Sequence, residues 1–218
     1  MNQITLVQHH PDEGMGLIQS WLQSRQLEVS LVKTFTDEDE PSFTSWPDPS
    51  GVEKCILLGG PANVGDEHLA DEQQWLSQVV ATGGSVLGIC LGAQLLASAY
   101  GAQITSLPQT ELGWYELQPE FNASEVFASL FGTAFQWHGR QFALPTGALP
   151  LGYTETCRVQ GFHLNRQVGV QFHPEWTQRQ IQQFALLEQW PEDIYQGGES
   201  DRQRQQRLNP FLDAWWRL

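Results

Sequence analysis

Apolar positions along the chain switch between a strand period and a helix period. The run Ile4 to Val7 reads as a buried strand, Leu17, Ile18, Trp21 and Leu22 fall at helical spacing, and Leu27 to Phe35 returns to strand character. Thr36 to Gly51 is acidic with three prolines and reads as a surface loop. Lys54 to Leu58 is a third strand, ending in Gly59-Gly60-Pro61, and Asp66 to Ala81 supplies a helix. Val86 to Ile89 reads as a strand, and Leu91 to Tyr100 as a helix packed through Leu95 and Leu96.

Helices between successive strands require crossover connections. The pattern therefore predicts an α/β fold: a doubly wound, mostly parallel, flavodoxin-like sheet with helices on both faces, and a ligand site at the carboxyl ends of its strands. From Gln103 the texture changes to short strands, Gln103 to Leu107, Gly113 to Gln118, Ala134 to Trp137, Val159 to Asn165 and Val168 to Phe172, which predict a small antiparallel β portion. Trp176 to Trp190 reads as a helix with Ile181, Phe184, Ala185 and Leu187 packed. Residues 1–190 are expected to form the main domain. Residues 191–218 follow as a polar segment, Pro191 to Asn209, and an amphipathic helix with Phe211, Leu212, Trp215, Trp216 and Leu218 on one face. That face can dock on the chain's own sheet or on a partner.

Within this framework VLGICLGAQLLA, Val86 to Ala97, has the pattern of a nucleophile elbow. Glycines two positions either side of Cys90 leave room for a strained strand-to-helix turn that larger residues would block. The turn puts the thiol at a helix N-terminus, which favours the thiolate, and frees the backbone N–H of Leu91 for a developing oxyanion. Gly60, at the same sheet edge, is a candidate second oxyanion donor.

The segment GVQFHPEW, Gly169 to Trp176, supplies a base. His173 can move the thiol proton, and Glu175, two residues on across the stiff Pro174, can orient its imidazole. Cys55 and Cys157 lie in strand-like segments without flanking glycines and read as structural. His9, His10, His68 and His163 have no partner pattern that would make them ligands or bases, and neither a metal nor a cofactor is implied.

Composition excludes several classes. A formal charge of −14 and only two lysines, Lys33 and Lys54, argue against nucleic acid as partner. Three widely spaced cysteines suggest neither a disulfide framework nor a zinc site. No apolar run approaches the length of a membrane span and the N-terminus has no signal pattern, so a cytoplasmic location is expected.

The matched pieces LLGGPANVGDE, VLGICLGAQLLA, the Glu111-Leu112-Gly113-Trp114 turn, WHG at Trp137 to Gly139, and GVQFHPEW resemble the class I glutamine amidotransferases, especially free-standing members akin to the glutaminase domain of GMP synthase. The resemblance spans roughly residues 4 to 190, and the elbow with QFHPE is its most specific part. It implies that Cys90 attacks the side-chain amide of glutamine, giving a γ-glutamyl thioester and ammonia, with His173 as acid/base and Glu175 as its orienter. It also implies substrate contacts at Gln94 and His138, and a synthase subunit or a second copy as partner. Relatives usually carry Asp after the His-Gly, where this chain has Arg140; the exact amide substrate is left open. A γ-glutamyl peptide hydrolase on the same triad and a non-catalytic regulatory module of this fold are the alternatives. Peptidases and chaperones of the DJ-1 type usually have His directly after the nucleophile, where this chain has Leu91.

Overall fold

The computed structural model describes residues 2–35 and 45–218. In chain order the elements are β1 (Gln3–Gln8), α1 (Ile18–Ser24), β2 (Glu28–Lys33), β3 (Lys54–Leu57), α2 (Ala70–Ala81), β4 (Ser85–Ile89) and α3 (Leu91–Ala99). They continue with β5 (Ile104–Pro119), β6 (Gly132–Phe142), β7 (Leu149–Pro150), β8 (Gly152–Tyr153), β9 (Gly161–Leu164), β10 (Gln167–Val170), α4 (Gln178–Leu187), α5 (Glu192–Tyr195) and α6 (Asp201–Trp216). The main sheet runs β2-β1-β3-β4-β10-β9-β7, and a three-stranded sheet runs β6-β5-β8. From β2 to β10 the main-sheet pairings are parallel, while β9 and β7 join antiparallel.

Strand alternation sorts the core onto two faces. Leu6, Ile56 and Leu87 pack with Ile18, Trp21 and Leu22 of α1 and with Leu208, Phe211, Leu212 and Trp215 of α6. Their neighbours Val7, Cys55, Leu57 and Val86 face the other way, onto Trp75, Leu76 and Val79 of α2 and Leu95 and Leu96 of α3. Near-continuous apolar strands are what a sheet covered on both faces requires.

Several elements differ from the sequence reading. The helix expected from Asp66 begins as a separate 3-10 turn, Glu67–Leu69, before α2. The strands at Gln103 and Gly113 are one long strand, β5, whose pairing with β6 shifts register between Ser106 and Glu111. The expected Glu111 to Trp114 turn therefore lies inside a strand; its turn-like feature is Gly113, at φ +114°. Helix α4 is shorter than the Trp176 to Trp190 reading at both ends: Thr177 and Gln180 close a capping box at its start, Gln189 at φ +54° lies just beyond its end, and Leu187, expected to pack, is exposed. The polar segment before Asn209 is helical from Asp201, nucleated by a second capping box between Ser200 and Gln203. Part of the acidic loop, 36–44, lies outside the described residues. Its end is pinned to α2, with Trp46 stacked on Trp75 at 4.7 Å.

Candidate active site

The edge where β1, β3, β4 and β10 end is the site. Cys90, between β4 and α3, sits at φ +50°, ψ −107°, outside the usual wells for a side-chain-bearing residue. A Cβ on Gly88 would stand 2.6 Å from the Ala93 nitrogen, and one on Gly92 2.6 Å from the Leu57 Cβ. Both glycines are thus obligatory for this turn. The backbone N–H of Cys90 donates to Val170 at 2.9 Å, locking the elbow to β10.

His173 and Glu175 follow β10 and are 2% and 1% exposed. Nδ1 of His173 lies 2.9 Å from Glu175 Oε1, which leaves Nε2 for the thiol. The His173 ring stacks on Trp176 at 3.8 Å between centroids, and its backbone N–H donates to Phe135. Burial alone would lower the His173 pKa; the charge of Glu175, then the charge and hydrogen bond of Cys90, outweigh it and leave the pKa well above its ordinary value.

These groups open on a cavity of about 280 Å³ lined by Glu13, Gly60, Asn63, Cys90, Leu91, Gln94, His138, Arg140 and His173, among others. The backbone N–H groups of Gly60 and Leu91 have no acceptor among the described residues. Gln94 is buried, not on the helix surface, and its amide donates to Gln171 Oε1 at 3.2 Å; Gln171 in turn donates to Cys90 Sγ at 3.7 Å. Both ring nitrogens of His138 are engaged, Nδ1 with the Arg140 carbonyl and Nε2 with Glu111 at 2.9 Å. His138 therefore borders the cavity with no ring nitrogen left for a substrate. The Arg140 guanidinium has no partner among the described residues.

Sequence reasoning missed Glu13, Gln171 and His9. Glu13 comes from the β1–α1 loop, is 7% exposed, and leaves Oε2 without a partner among the described residues. A Cβ on Gly59 would collide with that oxygen and stand 2.8 Å from His173 Cε1, so the carboxylate and the His173 imidazole meet over Gly59. Burial, and then the charge of Glu175, raise its pKa against the pull of His173. The same loop sends the Leu17 N–H to the Glu175 carbonyl at 2.6 Å. His9, read as partnerless, lies between Glu72 at 2.8 Å and the Gly59 carbonyl at 3.1 Å. His163, also read as partnerless, meets Ser124 at 2.7 Å.

Donor atoms of Glu111, His138 and Cys157 lie within 4.8 Å of one another, a spacing a metal could use. The chemistry argues otherwise. Glu111 already accepts from His138, Thr154, Thr156 and Gln160; burial raises its carboxyl, but His138, Thr154 and Thr156 overcome that cost and hold it below its ordinary value. Cys157 is pushed up to about 12 by burial and keeps its proton.

Fold and site together define a thiol protein with a histidine–glutamate dyad at the carboxyl edge of a doubly wound sheet. The family model for glutamine amidotransferase class-I matches residues 12–189, and the chain belongs to that family. It is 27% identical over 186 residues to a glutamine amidotransferase-like protein, YfeJ, of Salmonella typhimurium, covering 80% of this chain and 76% of that one. It is 31% identical over 134 residues to the glutamine-hydrolysing GMP synthase of Vibrio vulnificus, covering 59% of this chain and 25% of the synthase. A glutamine amidotransferase of Thermotoga maritima shares the fold, with a TM-score of 0.83 at 22% identity, covering 98% of this chain and 97% of that one. Among the described residues no helix is long and apolar enough to cross a membrane.

Proposed function

We propose that the chain hydrolyses the side-chain amide of glutamine and passes the ammonia to an acceptor on a separate protein. The observation that carries this reading is the strained Cys90 elbow opening on one cavity with the buried His173–Glu175 pair. His173 Nε2 takes the thiol proton as Sγ bonds to the amide carbon. The carbonyl electrons move to oxygen, which faces the N–H groups of Gly60 and Leu91. The His173 proton then passes to nitrogen, ammonia leaves, and a γ-glutamyl thioester remains. Water, deprotonated by the same imidazole, releases glutamate and the thiol.

Glu13 Oε2 and the Arg140 guanidinium, both without a partner among the described residues, border the same cavity and suit the ammonium and carboxylate of an amino-acid substrate. A synthase subunit as ammonia acceptor is supported by the match to one segment of GMP synthase. Release of ammonia and glutamate, measured over a panel of glutamine and γ-glutamyl compounds, tests the reading. Faster release of amines from γ-glutamyl peptides than of ammonia from glutamine would replace it with a γ-glutamyl hydrolase. No turnover of any compound, alone or with a synthase, would leave a regulatory module.

A further inference from the structure

Behind the Gly59–Gly60 turn lies another buried histidine–glutamate pair that the Cys90 chemistry does not use. His9 is 8% exposed and Glu72, on α2, 1%. His9 meets the Gly59 carbonyl through Nδ1 and Glu72 Oε1 through Nε2. A carbonyl and an ionised carboxylate only accept hydrogen bonds, so holding both takes a proton on each ring nitrogen, which makes His9 an imidazolium. The energetics agree in direction. Burial would lower the pKa of His9, but Glu72, the Gly59 carbonyl and the more distant Glu13 outweigh it and the net is upward.

What this cation grips is one side of a single peptide plane. The structure has no cis peptide among its described residues, so the Gly59 carbonyl and the Gly60 N–H point in opposite directions. With the oxygen held by His9, the N–H is turned away from His9. Gly60 borders the cavity beside Cys90 and Leu91, and its N–H has no acceptor among the described residues. His9 also packs directly under the turn: a Cβ on Gly60 would stand 2.6 Å from the His9 Cβ.

We propose that the His9–Glu72 pair sets and charges the oxyanion-binding peptide, aiming the Gly60 N–H at the Cys90 adduct and strengthening that hydrogen bond through the same peptide. His9 is thus a positioning residue that acts through Gly60. The inference rests on the thiol-adduct reading of Cys90 and not on which amide is the natural substrate.

The test uses the full chain and glutamate γ-semialdehyde. The Cys90 thiolate, its proton held on His173, adds to the aldehyde carbon, and the carbonyl electrons go to the oxygen, giving a hemithioacetal oxyanion without turnover. In His9→Gln, which can keep a neutral donor to Gly59, aldehyde affinity and kcat for glutamine should fall together by about 10–100-fold, less than the full loss of a donor at its upper end. His9→Ala should fall further, and KM should stay within about threefold in both. The pH profile of Cys90 alkylation by iodoacetamide should not move, since the thiol and His173 are untouched; a general loosening of the site would move it. Should His9 variants fail to fold, Glu72→Gln, which removes the counter-charge, should weaken the aldehyde in the same way.

Equal aldehyde affinity in wild type and variants overturns the assignment, as does a loss matched by a shifted alkylation profile. A wild-type chain that binds the aldehyde but releases no ammonia refutes the glutaminase reading alone, and the variant comparison still decides on His9. A wild-type chain that neither binds the aldehyde nor releases ammonia overturns both, and for one that releases ammonia without binding the aldehyde an unchanged kcat in the His9 variants overturns the assignment.

Discussion

At the scale of single residues, the proposed chemistry requires each of its groups. Cys90→Ala and His173→Ala should each abolish ammonia release with the fold intact, because the attacking and the proton-moving group act as one unit. Glu175→Gln should cost less than either, since orientation is lost but the nucleophile remains; rates of glutamate formation check the order. Cys90 borders the cavity, while burial pushes the thiols of Cys55 and Cys157 up, the latter to about 12. Mass spectrometry after brief iodoacetamide treatment at neutral pH should therefore find the label on Cys90 alone. Glu13 makes an opposed pair of predictions. Its carboxyl is raised above its ordinary 4.5, so the stability it contributes is present below that value and is lost as pH rises through the folded-state pKa. Glu13→Gln should thus raise the unfolding midpoint by roughly 2–4 °C in mildly alkaline buffer, where the wild type carries the buried charge, and raise KM for glutamine. A calorimetric midpoint that falls instead would show that Glu13 has a partner in the free protein.

At the scale of elements, α6 was the ambiguous one. Its apolar face docks on the chain's own core, with Leu208, Phe211, Leu212 and Trp215 buried and Asp213 accepting from the Trp21 indole at 2.7 Å. Arg207 reaches back to the Thr133 carbonyl at 2.7 Å and ties the helix to β6. Removing 209–218 exposes several large side chains, each worth about 1.5–3 kcal/mol of burial, and should lower the unfolding midpoint by well over 5 °C at any protein concentration. A midpoint that holds while the assembly size shifts on a sizing column would assign the helix to a partner instead. The β1–α1 loop works on the same scale. It carries His9 and Glu13 to the site and closes over Glu175 through the Leu17 N–H, so the first crossover builds a wall of the cavity.

For the whole molecule, the buried titratable groups give a pH window. His9 and His173 are raised above 6.5, so their contribution is complete below that pH and is lost as pH rises through their folded-state values. Glu111 is lowered below 4.5, so its contribution is complete above that pH and is lost as pH falls through its folded-state value. The loss of Glu13's contribution above 4.5 pulls against the lower limit and tilts the window downward. Urea unfolding across a pH series should find the free energy greatest between about pH 4.5 and 6.5 and falling on the alkaline side, where the formal charge of −14 adds self-repulsion. Greatest stability at alkaline pH would contradict the imidazolium assigned to His9.

Local rules determine much of this protein. Strand and helix periods place β1 to β4 with α1, α2 and α3, because burial on both faces forces apolar strands and one-sided helices; β9 and β10, read with the antiparallel portion, instead join the main sheet, β10 in parallel beside β4. Steric exclusion at Gly88 and Gly92 marked the elbow, and the spacing of His173 and Glu175 across Pro174 placed both on one strand end. Boundaries slipped where tertiary contacts overrode propensity, as in β5, which runs through Pro108 because β6 pairs with it on both sides of a register shift. The environment of the site was not local at all. His9 meets Gly59 across 50 residues and Glu72 across 63, and Gln171 reaches Cys90 across 81. Nothing in the periodicity of any segment encodes such meetings. They follow from the strand order, which brings the ends of β1, β3, β4 and β10 to one edge, and only that order decides which lone histidine or glutamate becomes part of a site.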